Sequence, residues 1–190
     1  MTKQSILVLF VLLILVSACS SLPGDEPGSI VMGPFSLPEM AIEGMVPSAC
    51  QRVASGVFGC EALAPGESLV AVVLSAHALP LAQLEEALAD SLGVAALPPA
   101  VGVYQGKALT WQRYQVVSEL KDQGLPPSEE GLYQVDLALS ESGGRFLLVA
   151  LITVPGDREA HAAFYDALFE HVLYTLIPLP SADALQQEGS

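Results

Sequence analysis

The stretch LYQVDLALSESGGRFLLVALITV, residues 132–154, constrains the fold of this chain more than any other. In its first half Tyr133, Val135, Leu137 and Leu139 alternate with Gln134, Asp136 and Ala138. Successive side chains of a strand point to opposite faces, so this pattern reads as a half-buried strand. Gly143-Gly144 then reverses the chain, and residues 145–154 return as an almost wholly apolar strand. The result is a hairpin whose apolar residues demand a covering layer.

Helical periodicity supplies that layer. In LAQLEEALADSLG, Leu81, Leu84, Leu88 and Leu92 recur at helical spacing, while Glu85, Glu86 and Asp90 fall mostly outward. Pro80 suits the N-terminus, where its missing N–H costs nothing, and Gly93 suits the stop. A second, longer helix is expected from a Gly156-Asp157 cap to Leu176, with Asp157 and Glu159 at its positive end. Its core stripe reads Ala160, Phe164, Ala167, Leu168, Val172 and Leu176, and Pro178 ends it.

Further strands are expected at Glu67–Ala78, Val101–Tyr104 and Ala108–Leu120. In the last of these Trp111, Arg113 and Gln115 share one face, and Gln112, Tyr114 and Val116 the other. The stretch from Phe35 to Cys60 is broken by Pro and Gly and suggests short strands. KDQGLPPSEEG, residues 121–131, reads as a loop. Tight turns between neighbouring strands argue for an antiparallel sheet, and helices covering it make the class α+β. No internal repeat is visible.

The N-terminus carries an address. Met1–Ser5 holds one side-chain cation, Lys3, and Ile6–Val16 is an unbroken apolar run closed by Ser17-Ala18-Cys19. These are the three parts of a secretory signal peptide. As a helix, Ser5–Ala18 would span about 21 Å at ~1.5 Å per residue. A bilayer core needs about 30 Å. The ending Val16-Ser17-Ala18-Cys19 resembles the bacterial lipobox: an aliphatic residue, a small one, Ala or Gly, then Cys. The resemblance implies that residues 1–18 are removed and that the Cys19 sulfur and new amine are acylated. Two or more acyl chains anchor a protein stably where one binds marginally. The alternatives are ordinary cleavage with Cys19 a bystander, or a short uncleaved anchor. Ser20 stands where an Asp often signals inner-membrane retention in Gram-negative lipoproteins, which leaves the outer membrane open. In a cell with one membrane, the protein would sit on its outer face.

The expected organisation is a signal peptide (1–18), a Ser-, Gly- and Pro-rich tether (19–33), one α+β domain (34–180) and a polar tail (181–190). Removing residues 1–18 from 190 leaves 172, the size of one domain plus a tether. The whole chain carries a formal charge of −14, which becomes −15 when Lys3 is removed. So acidic a body does not bind nucleic acid by neutralising phosphates, and anionic headgroups repel it. It suits a partner with a basic surface or loosely held divalent cations, and equally a soluble acidic surface. Cys50 and Cys60 invite a disulfide closing a small loop. Free thiols are an alternative; a metal pair lacks the tight spacing of zinc ligands and has no nearby His.

Chemistry is sparse. No G-x-S-x-G elbow, H-E-x-x-H, Walker loop or EF-hand is present. His161 and His171 lie ten residues apart, about 80° out of phase on one helix at about 100° per residue. His77 ends a strand without a sequence-local carboxylate, and neither Ser75 nor Ser142 has a contextual base. The pairs Asp166/Glu170 and Glu86/Asp90 each share a helix face, where solvated carboxylates are usual. Trp111 and Tyr114, with Tyr104, are the candidates to line a ligand groove, core packing being the alternative. No catalytic residue, cofactor or metal is nominated.

The order of LAQLEEALADSLG, the strand with TWQRY, the apolar hairpin and the closing HAAFYDALFEHVLYTLIPL is similar to PsbP-like domains, over about Phe35–Leu179. That resemblance implies an α/β/α sandwich with an antiparallel sheet packed by two main helices, and a non-catalytic accessory or binding role. The Cys50/Cys60 pair is no part of that pattern. Three functions follow as expectations. The first is an accessory module of an envelope complex, held to a membrane by its lipid and bound to a protein partner. The second is a solute-binding lipoprotein with a small ligand near Trp111 and Tyr114. The third is a hydrolase, which needs a nucleophile and base brought together, for example near His77.

Overall fold

The structure, a computed structural model, describes residues 30–179 apart from positions 48, 64–68, 121–124, 126, 127 and 129. The signal segment, Cys19, most of the tether, most of the 121–131 loop and the tail from 180 lie outside the described residues.

The chain runs β1 (Met32–Leu37), a 3-10 turn (Pro38–Met40), β2 (Ile42–Pro47), β3 (Ala49–Ala54), β4 (Val57–Leu63) and β5 (Leu69–His77). It continues as α1 (Leu81–Ser91), β6 (Gly102–Gln105), β7 (Thr110–Glu119), β8 (Leu132–Ser142) and β9 (Arg145–Thr153). α2 (Pro155–Ala160), α3 (Ala162–Thr175) and β10 (Ile177–Pro178) close it. Seven strands form one antiparallel sheet in the order β3-β4-β5-β9-β8-β7-β6. A smaller sheet, β1-β2-β10, is also antiparallel. β1 takes in Met32 and Gly33, which pair with Pro47 and Val46, and the Met32 side chain packs against the core.

β8 and β9 form the expected hairpin, with Gly143 and Gly144 both at positive φ in the turn. Both strands lie in the middle of the sheet, so β8 is not half-buried. Asp136 and Ala138 are as buried as the leucines opposite. One face packs under α3 and the small sheet through Trp111, Ala138, Val149, Phe169 and Leu37. The other packs under α1 through Leu84, Leu88 and Leu92, which meet Tyr114, Val135 and Leu148. The architecture is an α+β sandwich of three layers. No helix among the described residues is long and apolar enough to cross a membrane.

α1 follows the sequence closely. Pro80 precedes its first turn and accepts from the N–H groups of Gln83 and Leu84. Gly93, at φ +66°, ends it: Gly93 N–H donates to Asp90 O and Val94 N–H to Ala89 O. That paired closure needs the left-handed residue a glycine supplies.

The second helix departs from expectation. It starts at Pro155, whose absent N–H is harmless in the first turn, and Gly156-Asp157 does not cap it. It breaks at His161, which leaves helical geometry at φ −123°, ψ 33°. The break rephases the stripe. Tyr165, Leu168, Phe169, Val172, Leu173 and Leu176 are buried, whereas Ala160 and Ala167 are exposed and Phe164 is half-buried. The helix stops at Thr175, and Ile177–Pro178 pair with Ile42 and Glu43 to form a strand the sequence did not suggest.

Cys50 and Cys60 stand directly opposite each other on β3 and β4, Cα atoms 4.0 Å apart, and are joined in a disulfide. The bridge staples a hairpin turning at Ser55-Gly56.

Candidate functional site

The strand β7 decides which face of the sheet each candidate side chain takes. Its alternation sends Trp111 and Arg113 toward α3 and Tyr114 and Val116 toward α1. Trp111 and Tyr114 therefore stand on opposite faces of the sheet and cannot line one groove. Trp111 is 0% exposed. Its Nε1–H donates to Leu173 O at 3.1 Å, pinning the last turn of α3, and Gly106 lets the chain pass there: a Cβ would sit 2.7 Å from Leu173 O. Trp111 is a core residue, and Tyr104, its partner across β6 and β7, is half-buried against the same core.

Tyr114 does border open space. Between α1 and residues 95–100 lies an open hollow of about 660 Å³, lined by Glu85, Glu86, Asp90, Leu97, Pro98 and Tyr114 among others. No Lys or Arg contributes to it. The Tyr114 hydroxyl lies 3.0 Å from Gln112 Oε1 and 3.2 Å from Glu85 Oε1. Burial, then the Glu85 charge and hydrogen bond, push its pKa up, so it stays a neutral donor. Glu86 and Asp90, expected to be a solvated face, are exposed on the rim. The arrangement is an apolar wall of Ala, Leu and Pro beside three carboxylates, suited to a ligand that is cationic and partly apolar.

The opposite face carries an ionic network that runs from a buried carboxylate out to the surface of α3. Asp136 is 0% exposed; its Oδ1 accepts from Gln115 Nε2 at 2.8 Å and its Oδ2 from Arg158 Nε at 3.0 Å. Arg158 also donates to Ala162 O and, at 2.5 Å, to Asp166 Oδ1. Burial alone would lower the Arg158 pKa, but the Asp136 and Asp166 carboxylates reverse that and raise it. Arg113 pairs with Glu170 at 3.3 Å and lies over the Phe169 ring. Asp166 and Glu170 are thus partners of two arginines as well as helix-surface residues. Asp157 spans the helix break, accepting from His161 Nδ1 at 3.0 Å and from the Tyr165 hydroxyl. Burial first, then Asp157, raises the Tyr165 pKa. This network ties α2 and α3 to the sheet.

One pair was missed in the sequence. Ser75 Oγ and His77 Nε2 lie 2.7 Å apart; residues i and i+2 of a strand share a face, so alternation alone brings them together. Ser75 therefore has a base beside it. Burial lowers the His77 pKa, keeping the ring neutral. Ser75 itself is 1% exposed, and among the described residues no carboxylate bonds to His77. His171 is exposed on α3, apart from the Asp157-bound His161, and Ser142 sits beside the hairpin turn. No group of three His, Cys, Asp or Glu able to hold a metal occurs among the described residues.

No protein-family model matches the chain, and no curated protein matches it. Solved structures do. The Ran-binding protein Mog1p of Saccharomyces cerevisiae matches with a TM-score of 0.50 at 10% identity, over 81% of this chain and 98% of that one. Cyanobacterial PsbP from Synechocystis gives 0.44 at 9% identity, over 86% and 98%. LpqN, a Mycobacterium tuberculosis protein involved in cell envelope biogenesis, gives 0.42 at 12%, over 78% and 92%. At such identities a likeness speaks for the fold alone, and the Mog1p match agrees with the α+β sandwich described above.

Proposed function

We propose that this chain is an extracytoplasmic lipoprotein, anchored through Cys19 in a cell membrane or outer membrane, whose single α+β domain is a non-catalytic binding module of an envelope complex. The location rests on the lipobox at Val16–Cys19 and is supported by the Cys50–Cys60 disulfide, since such bonds persist in oxidising compartments. The binding role rests on one observation, the acidic-rimmed hollow beside Tyr114. Mild cross-linking of living cells, purification from membranes and mass spectrometry test it. A stoichiometric protein partner is expected; an empty protein, or one holding only a small molecule, sinks the accessory role, and the latter result favours solute binding at Tyr114. Cys19→Ala should leave the precursor uncleaved or the protein unanchored. Mature-length, membrane-bound protein from that variant refutes the anchor.

A second reading, a hydrolase, draws on the Ser75–His77 contact. A neutral imidazole beside a serine hydroxyl is the start of an activated nucleophile. With Ser75 covered, substrate would have to displace the residues above it. A fluorophosphonate probe that labels the wild type and spares Ser75→Ala supports this reading; absence of labelling ends it.

A further inference from the structure

The two edges of the seven-stranded sheet are finished differently. β3 is sealed by the disulfide to β4, bent by a register shift between Arg52 and Ala54, and guarded by the Arg52–Glu39 ion pair. Natural sheets close their edges by such bends and charges. β6, at the other edge, has no staple and no ion pair: its residues are Gly102, Val103, Tyr104 and Gln105, with no charge and no proline, and its irregularity is confined to the start, where Val101 N–H donates to Arg113 O, the partner of Gly102. Val101 and Val103 are 57% and 70% exposed. The bond from Gly106 N–H to Leu109 O sets the alternation of the ladder to β7, so Gly102 and Tyr104 turn their backbone groups inward. Val103 and Gln105 turn theirs outward, where no strand pairs with them among the described residues.

This bare edge adjoins the hollow. Val103 stands opposite Gln112, on the face Tyr114 shares, and the chain enters β6 through Val101 from Ala100, which lines the hollow with Glu85, Glu86 and Asp90. We infer that β6 receives an extended, basic segment of a partner protein by strand addition. Main-chain bonds to Val103 and Gln105 would hold it; on one face Lys or Arg side chains would lay their aliphatic stems over Val103 and reach the carboxylates of α1, and on the other apolar side chains would pack beside Tyr104. A second copy of this chain is the poorer occupant, because two bodies of charge −14 repel and a copy brings no basic strand. The inference rests on the binding-module reading and names its surface and ligand chemistry.

The probes are three octapeptides: alternating Lys-Val, alternating Glu-Val, and a helix-favouring Lys-Ala peptide of equal positive charge. They are titrated into the intact chain in detergent while amide hydrogen exchange is followed. Alternating Lys-Val should bind at least tenfold tighter than either other peptide, slow exchange at Val103 and Gln105, and lose at least tenfold in affinity to Val103→Pro. Binding of Lys-Val and Lys-Ala alike, protection elsewhere than β6, or no binding overturns strand addition. So does a dimer of the free protein that Val103→Pro dissociates. Exchange on the unaltered protein is decisive even if the proline variant misfolds. If Val103→Pro cells still yield the cross-linked partner, the edge is wrong and the binding module stands; if wild-type cells yield none, the module itself fails.

Discussion

The two faces of the large sheet are built on different principles. The α3 face is closed by a helix, a second sheet and an ionic lattice in which Asp136, Arg158, Asp166, Arg113 and Glu170 hold one another. The α1 face is closed by one eleven-residue helix set on leucines, and it leaves a hollow beside Tyr114. Directional bonds specify geometry and fail abruptly when one partner is lost. Leucine packing is non-directional and yields by degrees. The face with the ionic lattice is covered by a helix and a second sheet, and the face with the simpler cover is the one that keeps an open hollow.

Removing one partner of the lattice should separate the faces most strongly. Arg158→Met strands the Asp136 carboxylate without its cation, and a loss of about 4 kcal/mol is expected from urea unfolding. A loss below about 1 kcal/mol would mean that water reaches Asp136 and that the lattice is ornamental. Leu88→Ala on the other face should cost about 3 kcal/mol, with far-ultraviolet dichroism showing whether α1 frays before the sheet melts. The smallest effect belongs to His77. Its pKa lies below the ordinary 6.5 when folded, so the unfolded chain takes up a proton first. Stability is complete above about pH 6.5 and declines as pH falls toward the depressed folded value. His77→Gln should flatten that decline by about 1 kcal/mol or less between about pH 6.5 and 5. Identical slopes in variant and wild type would place His77 in water.

The parts of this fold that could be read in advance are those whose cause is local. The leucines of α1, Gly93 behind them and the Gly143-Gly144 turn each carry their reason within one turn or one hairpin. The stripe of the last helix slipped because it was counted through His161, where the helix restarts; Tyr165, Phe169 and Leu173 emerge when the count begins at Ala162. Asp136 read as a solvent-facing residue of a half-buried strand because its partner, Arg158, lies 22 positions away. Trp111 and Tyr114 were placed on opposite faces by the same alternation that should have kept them out of one groove. Of the hollow, only Tyr114 and the acids of α1 were visible beforehand. Its wall, residues 95–100, has no periodic signal, since Ala and Pro in an irregular segment acquire a role only from what they lie against. The Ser75–His77 contact was within reach: two residues apart on a strand is always the same side.

The small sheet has a consequence for how the chain matures. β2 is flanked by β1, from the start of the domain, and by β10, from its end, and Leu179 N–H closes back onto Ala41 O. Some 130 residues separate Thr175 from Met45, to which its hydroxyl is bonded. The β1–β2 hairpin therefore waits for residues 177–178 before its second edge is covered. A chain laid down from one end cannot finish this domain early. Until residues 177–179 are made, the second edge of β2 has no partner strand among the described residues.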